Sequence, residues 1–188
     1  MLSWASARVV NDTKEGSNSR VASSIADRLI STLAHEPPTQ RREVSVPRTT
    51  RQELLDAVRS IPLFSACNTR ELLEVARLGT RVRMAAGMTM AEEGSSGREL
   101  LVVLSGTATC RAKGKRLARF GPGDFFGEMS LVDHGPRSAT VVADSDMELL
   151  VLDSREFRRL VFASPTIAWK ILATMAGRLR LADEALTN

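Results

Sequence analysis

The sequence predicts an α+β fold, an antiparallel β-barrel of jelly-roll or double-stranded β-helix form flanked by N- and C-terminal helices. Between Gly79 and Asp153 the helical period disappears and short apolar or alternating runs are punctuated by glycine, as in all-antiparallel architectures. On either side, apolar residues recur at steps of three and four, the period of one helix face. At 188 residues and 43% hydrophobic content the chain can bury one good core, so one domain with an extension is expected.

Residues 50–188 are assigned to that domain and residues 1–49 to a polar N-terminal extension, broken by Pro37-Pro38 and Pro47. Within the extension Val21, Ile25, Leu29 and Leu33 recur at every fourth position, which allows an amphipathic helix from about Ser19 to His35. Thr50 to Leu78 reads as helical, with Leu54, Leu55 and Val58 preceding Ile61-Pro62-Leu63-Phe64. Asn68 followed by Glu71 forms a capping-box pattern at the start of a helix that carries Leu72, Leu73, Val75 and Leu78.

The strands expected next are Arg81–Met84, Met88–Ala91, Leu100–Leu104, Thr107–Arg111, Arg116–Phe120, Thr140–Ala143 and Leu149–Leu152. Ser154-Arg155-Glu156-Phe157 opens a further helix. Ser164-Pro165 then supplies an N-cap with proline at the first helical position of the last one. Along that last helix Ala168, Leu172, Met175, Leu179, Ala182 and Leu186 form an apolar seam, which either covers the barrel or joins two copies of the chain.

Composition removes several classes of function. No apolar run approaches the roughly 20 residues of a membrane-spanning helix, and the N-terminus has no apolar signal region, so a soluble cytoplasmic protein without membrane contact is expected. Cys67 and Cys110 are too few for a disulfide framework and lack metal-ligand spacing. The two histidines, His35 and His134, are far apart in sequence, so neither a metal cage nor a catalytic cluster is expected and the chain is not read as an enzyme. The net charge is only +4, although Arg111, Lys113, Lys115, Arg116 and Arg119 crowd around a turn at Gly114. That hairpin reads as a solvated ribbon rather than a nucleic-acid or lipid patch.

The segment with the most chemistry is Gly127 to Thr140, GEMSLVDHGPRSAT. It follows a Gly121-Pro122-Gly123 turn, and a short helical turn after Gly127 would present unsatisfied amides with partial positive charge to an anion. Glu128 repels an anion but suits a sugar hydroxyl, as acidic residues do for ribose in dinucleotide folds. Arg137 offers a planar, permanently charged donor fork matched to two oxygens of one phosphate. Arginine with two or three amides, at about 1.5–3 kcal/mol for each charge-assisted bond, would cover most of the roughly 8 kcal/mol of micromolar binding.

The run F-G-E-M-S-L-x-x-x-x-P-R-S-A-T resembles the phosphate-binding cassette of the cyclic nucleotide-binding domain family, which includes catabolite activator proteins, protein kinase A regulatory subunits and cyclic-nucleotide-gated channels. The I-P-L-F segment and Gly94, Gly97 and Gly106 also resemble family features, while Leu101 stands where an aromatic residue is common. The resemblance implies that Glu128 holds the ribose and Arg137 the cyclic phosphate. Amides of Gly127, Ser138 and Ala139 complete the cradle, with Met129 and Ser130 in its helical turn. The last helix is then both lid and dimer contact, and Ala182 and Asp183 fall where catabolite activator proteins present a threonine-serine pair to adenine.

Ser138 after the arginine favours cAMP over cGMP, because cGMP-preferring relatives often carry threonine there. Too few residues follow the last helix for a helix-turn-helix, so the expectation is a stand-alone cyclic nucleotide receiver that changes helix and partner contacts on binding. Its partners would be the nucleotide, an unknown protein and, through the last helix, a second copy; nucleic acid is not expected. The alternative is a ligand-free domain that keeps the barrel as an interaction scaffold, against which the intact Glu128 and Arg137 pair speaks.

Overall fold

A computed structural model describes residues 10–11, 44–46, 51–59, 61, 64 and 67–187. The helix expected between Ser19 and His35 lies outside the described residues. In chain order the elements are β1 (Val10–Asn11), β2 (Val44–Val46), α1 (Arg51–Arg59), α2 (Thr69–Leu78), β3 (Thr80–Met84), β4 (Thr89–Ala91) and β5 (Glu99–Ser105). They continue with β6 (Ala108–Ala112), β7 (Lys115–Phe120), β8 (Phe125–Phe126), α3 (Glu128–Val132), β9 (Thr140–Ala143), β10 (Met147–Asp153), α4 (Ser154–Ala163) and α5 (Pro165–Thr187).

The strands form two sheets, a six-stranded one in the order β1-β2-β3-β10-β5-β8 and a four-stranded one in the order β4-β9-β6-β7. All pairings are antiparallel except that of β1 with β2. The jelly-roll barrel between helices is therefore as expected, and two short strands from within residues 1–49 extend the edge of the larger sheet through β3.

The apolar pattern of each strand reports how many of its faces are covered. In β5 and β10 the runs Leu100–Val103 and Leu149–Leu152 do not alternate, because both faces are buried. Leu101, Val103, Leu149 and Val151 enter the barrel interior beside Val82, Met88, Met90, Phe126 and Val141. Leu100, Val102, Leu150 and Leu152 point the other way, into a layer with Leu54, Val58, Leu72, Val75, Phe157, Leu160, Ile167 and Ile171. The single expected core is thus two apolar layers sharing one sheet. In β6, by contrast, Ala108 and Cys110 are buried while Arg111 is exposed, so that strand alternates as a one-sided sheet should.

Caps set the helix boundaries. Asn68 accepts from the Glu71 amide at 3.0 Å while Glu71 accepts from the Asn68 amide at 2.8 Å, the reciprocal capping box read from sequence. Asp153 and Glu156 do the same for α4. The Ser164 hydroxyl at the α4–α5 junction donates to Glu71, tying the entry of α5 to the start of α2.

The seam expected on α5 is divided between two faces. Ile167 and Ile171 are buried and Met175 packs against the same layer, whereas Leu172 and Leu179 are exposed together with Trp169. The inward stripe therefore starts one residue earlier than the sequence pattern placed it. No single helix among the described residues is long and apolar enough to cross a membrane.

Glu148 on β10 bridges two arginines of β3, accepting from Arg83 Nε at 2.8 Å and from Arg81 Nη2. Burial pushes its carboxyl up, but hydrogen bonds and charges from Arg81 and Arg83 outweigh that and hold it below its ordinary value. A carboxyl lowered by folding contributes stability that is fully present above its unfolded pKa, about 4.3, and is lost as pH falls through its lower folded value. Urea melts of wild type and Glu148→Gln should therefore differ at neutral pH and converge in acid. A gap that persists once the carboxyl is protonated would remove this assignment.

Candidate functional site

The site forms where α3, the start of β5, the C-terminal part of the Gly127–Thr140 segment and α5 meet. Gly127 stands between β8 and α3 with φ of 90°, a left-handed conformation that favours glycine. A Cβ there would lie 2.3 Å from Arg137 Nη1 and 2.5 Å from the Glu99 carbonyl oxygen. The glycine expected to admit a ligand is thus also required by the arginine that packs against it.

Arg137 is only 6% exposed, so its charge needs partners. Its Nη1 donates to the carbonyls of Glu99 and Gly127 and to Ser130 Oγ, each at 3.1 Å, and its Nη2 donates to Glu99 Oε2 at 3.2 Å. Burial lowers the guanidinium pKa while the charges of Glu99 and Glu128 raise it, with a net lowering. At neutral pH it stays protonated. Its backbone is pinned as well, since Gly94 N–H donates to the Arg137 carbonyl and the Arg137 N–H donates to the Ser95 carbonyl, both at 2.8 Å. The Nε–H donates to no acceptor among the described residues, while Nη2 is already paired with Glu99.

Two residues of this arrangement were missed or misassigned in the sequence. Glu99, buried at the start of β5, is the carboxylate that holds Arg137. Gly97, read as a turn residue, is where a Cβ would come within 1.8 Å of Arg137 Nε. The signal for both was their proximity to the central strand, but only the fold brings them against a residue 38 positions away in the case of Glu99.

Glu128 begins α3 and is 2% exposed. Its Oε1 accepts from Arg178 Nη1 at 2.6 Å, and Oε2 has no partner among the described residues. Arg178, on α5, also donates from Nη2 to the Phe125 carbonyl. Its guanidinium carbon lies 5.3 Å from the Phe120 ring centroid and 5.0 Å from that of Phe125, and Phe120 stacks on Phe126 at 5.2 Å. Cys110 shares this interior. Burial pushes its thiol up, Arg178 opposes that shift and Glu128 adds to it.

The remaining expected site residues are placed as follows. Ser130 supports Arg137, and Met129 is exposed with its sulfur 3.6 Å from the Ser138 hydroxyl. Ser138 is exposed, while Ala139 packs on the barrel interior. Asp183 lies exposed on α5, and the side chain of Ala182 lies outside the described residues. The contact from α5 to the cassette is made by Arg178, a residue that sequence reasoning passed over because it stands outside the apolar seam.

Among the described residues the buried Glu128 keeps one carboxylate oxygen, and the buried Arg137 its Nε–H, without a partner. The fold is that of cyclic nucleotide-binding domains. Residues 81–164 match the family described as the cyclic nucleotide-binding domain.

The chain is 35% identical over 127 residues to the cyclic AMP receptor protein of Thermus thermophilus, covering 65% of this chain and 59% of that protein. It is 34% identical over 121 residues to a cyclic nucleotide-gated potassium channel of Rhizobium etli, covering 64% of this chain and 34% of the channel. Among solved structures, cAMP-bound PfPKA-R superposes with a TM-score of 0.67 at 23% identity, covering 72% of this chain and 47% of that one, a likeness of fold. The chain thus spans between about a third and three fifths of these relatives.

Gly97→Ala should test the close packing around Arg137. The added methyl should push the guanidinium off Glu99 and lower the unfolding midpoint, since breaking a buried ion pair typically costs about 3–5 kcal/mol. An unchanged denaturant midpoint would show that Arg137 does not need the space.

Proposed function

We propose that this chain is a cytoplasmic regulatory protein that binds a cyclic nucleotide, cAMP in preference to cGMP. In this reading Glu128 Oε2 accepts a hydrogen bond from the ribose 2′-hydroxyl and Arg137 receives the cyclic phosphate on its Nε side. Amides of Gly127, Ser138 and Ala139 complete the cradle beside Met129 and Ser130. The observation that carries it is that Glu128 and Arg137 are both buried and near enough to interact electrostatically, with Glu128 Oε2 and Arg137 Nε lacking a partner among the described residues. The Thermus relative is named for cyclic AMP, which supports that nucleotide.

The mechanism is differential affinity for two conformations rather than bond chemistry. Arg178 ties α5 to the carboxylate that meets the ribose, so occupancy at Glu128 is felt by a helix whose Trp169, Leu172 and Leu179 are exposed. That face is offered to a partner protein or to a second copy of the chain. Asp183, further along α5, would in this reading accept from adenine N6 or from guanine N1 and N2.

Isothermal calorimetry with cAMP and cGMP on wild type, Arg137→Leu and Glu128→Ala tests the assignment. Wild type should bind cAMP more tightly than cGMP. Loss of two charge-assisted bonds in Arg137→Leu should weaken cAMP by about a hundredfold or more. Absence of both heat and thermal shift with either nucleotide at millimolar concentration would overturn the proposal in favour of a ligand-free scaffold.

A further inference from the structure

We propose that the β6–β7 hairpin docks this protein onto an anionic lipid surface. Between Arg111 and Arg119 lie five of the chain's 26 basic residues and none of its 22 acidic ones, so everything outside the hairpin carries 21 basic against 22 acidic residues. The positive excess of the whole protein is therefore concentrated on this one element.

From sequence alone such a run reads as a solvated ribbon. The structure adds three observations that give it a direction. First, Lys113 and Gly114 take φ of 49° and 75°, forming a tight turn at the tip of a ribbon whose outer strand, β7, is the edge of its sheet. Second, the side chains of Arg111, Lys113, Lys115 and Arg116 make no hydrogen bond or ion pair among the described residues. Arg119, nearer the barrel, is instead neutralised by Asp144 at 3.3 Å. Glu93 is the acidic group at the turn, and its carboxylate is engaged by the Lys113 backbone N–H at 2.8 Å.

Third, Leu117 is 63% exposed. The register runs Cys110↔Ala118 and then Arg111↔Arg116, so Leu117 is the extra residue of a β-bulge with no cross-strand partner. A bulge re-aims a side chain, and here it leaves an aliphatic group in solvent among cations. Cations around an apolar tip match the boundary between anionic headgroups and acyl chains. Nucleic acid fits less well, since the hairpin exposes no aromatic side chain for stacking, carries no asparagine or glutamine, and would leave Leu117 facing phosphates.

The hairpin is rigidly connected to the candidate site at its base. Phe120 ends β7 beneath Arg178, and Cys110 of β6 lies near Glu128. At the tip, Glu93 accepts from Lys113 while its own N–H donates to Thr140 Oγ1 at 3.0 Å, at the end of the cassette. Lipid docking would hold an element that walls the site.

The test is co-sedimentation of the full chain with phosphatidylcholine vesicles, with and without phosphatidylserine, at low and at physiological salt. The assay contains no nucleotide, so its outcome is separate from that of the nucleotide-binding proposal. Wild type should sediment with the phosphatidylserine vesicles alone and release as salt rises. Each cation lost should weaken binding roughly fivefold, so Lys115→Glu/Arg116→Glu should fall by about 25-fold or more. Leu117→Ser should weaken binding several-fold with all charges kept. Thermal melts of the variants should match wild type, because all three side chains are exposed. No sedimentation of wild type at low salt, equal sedimentation of the charge-reversed variant, or an unaltered Leu117→Ser would overturn the proposal. Tighter binding to duplex DNA than to these vesicles under the same salt would also overturn it.

Discussion

Burying the guanidinium of Arg137 is the constraint around which the functional end of this barrel is arranged. A charge this far from water is tolerated only when paired and hydrogen-bonded, and four acceptor atoms from three residues surround it. Those acceptors come from the start of β5, from the turn before α3 and from α3 itself. The glycines at 97 and 127 follow from the same demand, because a methyl at either position would occupy the arginine's place. The guanidinium is consequently held in one orientation, so in the proposed reading little ordering entropy would be lost on binding an anion.

The second carboxylate of the site works differently. Glu128 is more deeply buried than Arg137, and its ion pair comes from α5 rather than from the barrel. Arg178 reaches it across the Phe120 and Phe125 rings, so the position of a long peripheral helix depends on the charge of a residue inside the pocket. Among the described residues, apolar packing of α5 runs through Ile167, Ile171 and Met175. Arg178 adds a polar link, which is easier to alter than a packed core.

Much of this was legible in the chain. The strand and helix boundaries follow from glycine punctuation and from the Asn68–Glu71 and Asp153–Glu156 caps, which act over three residues and need no tertiary help. The Glu128 and Arg137 pair was equally readable, because the spacing within one short segment constrains where both side chains can go. The α5 stripe was less so: Leu172 and Leu179 look as apolar as Ile167 and Ile171, and periodicity measures a face without saying what lies against it. β8 was hidden for a related reason, since two phenylalanines after a turn carry no period.

The sequence by itself determined the fold class and most of the elements from Thr69 onward, which depend on contacts close in the chain. The tertiary structure alone decided that Glu99 and Gly97 serve Arg137, that Arg178 of α5 meets Glu128, and that Leu117 is expelled from its ladder. Each of those facts depends on residues brought together across sheets, or on a register that shifts by one residue. A guanidinium or a leucine carries no local mark of the partner it will find or lack.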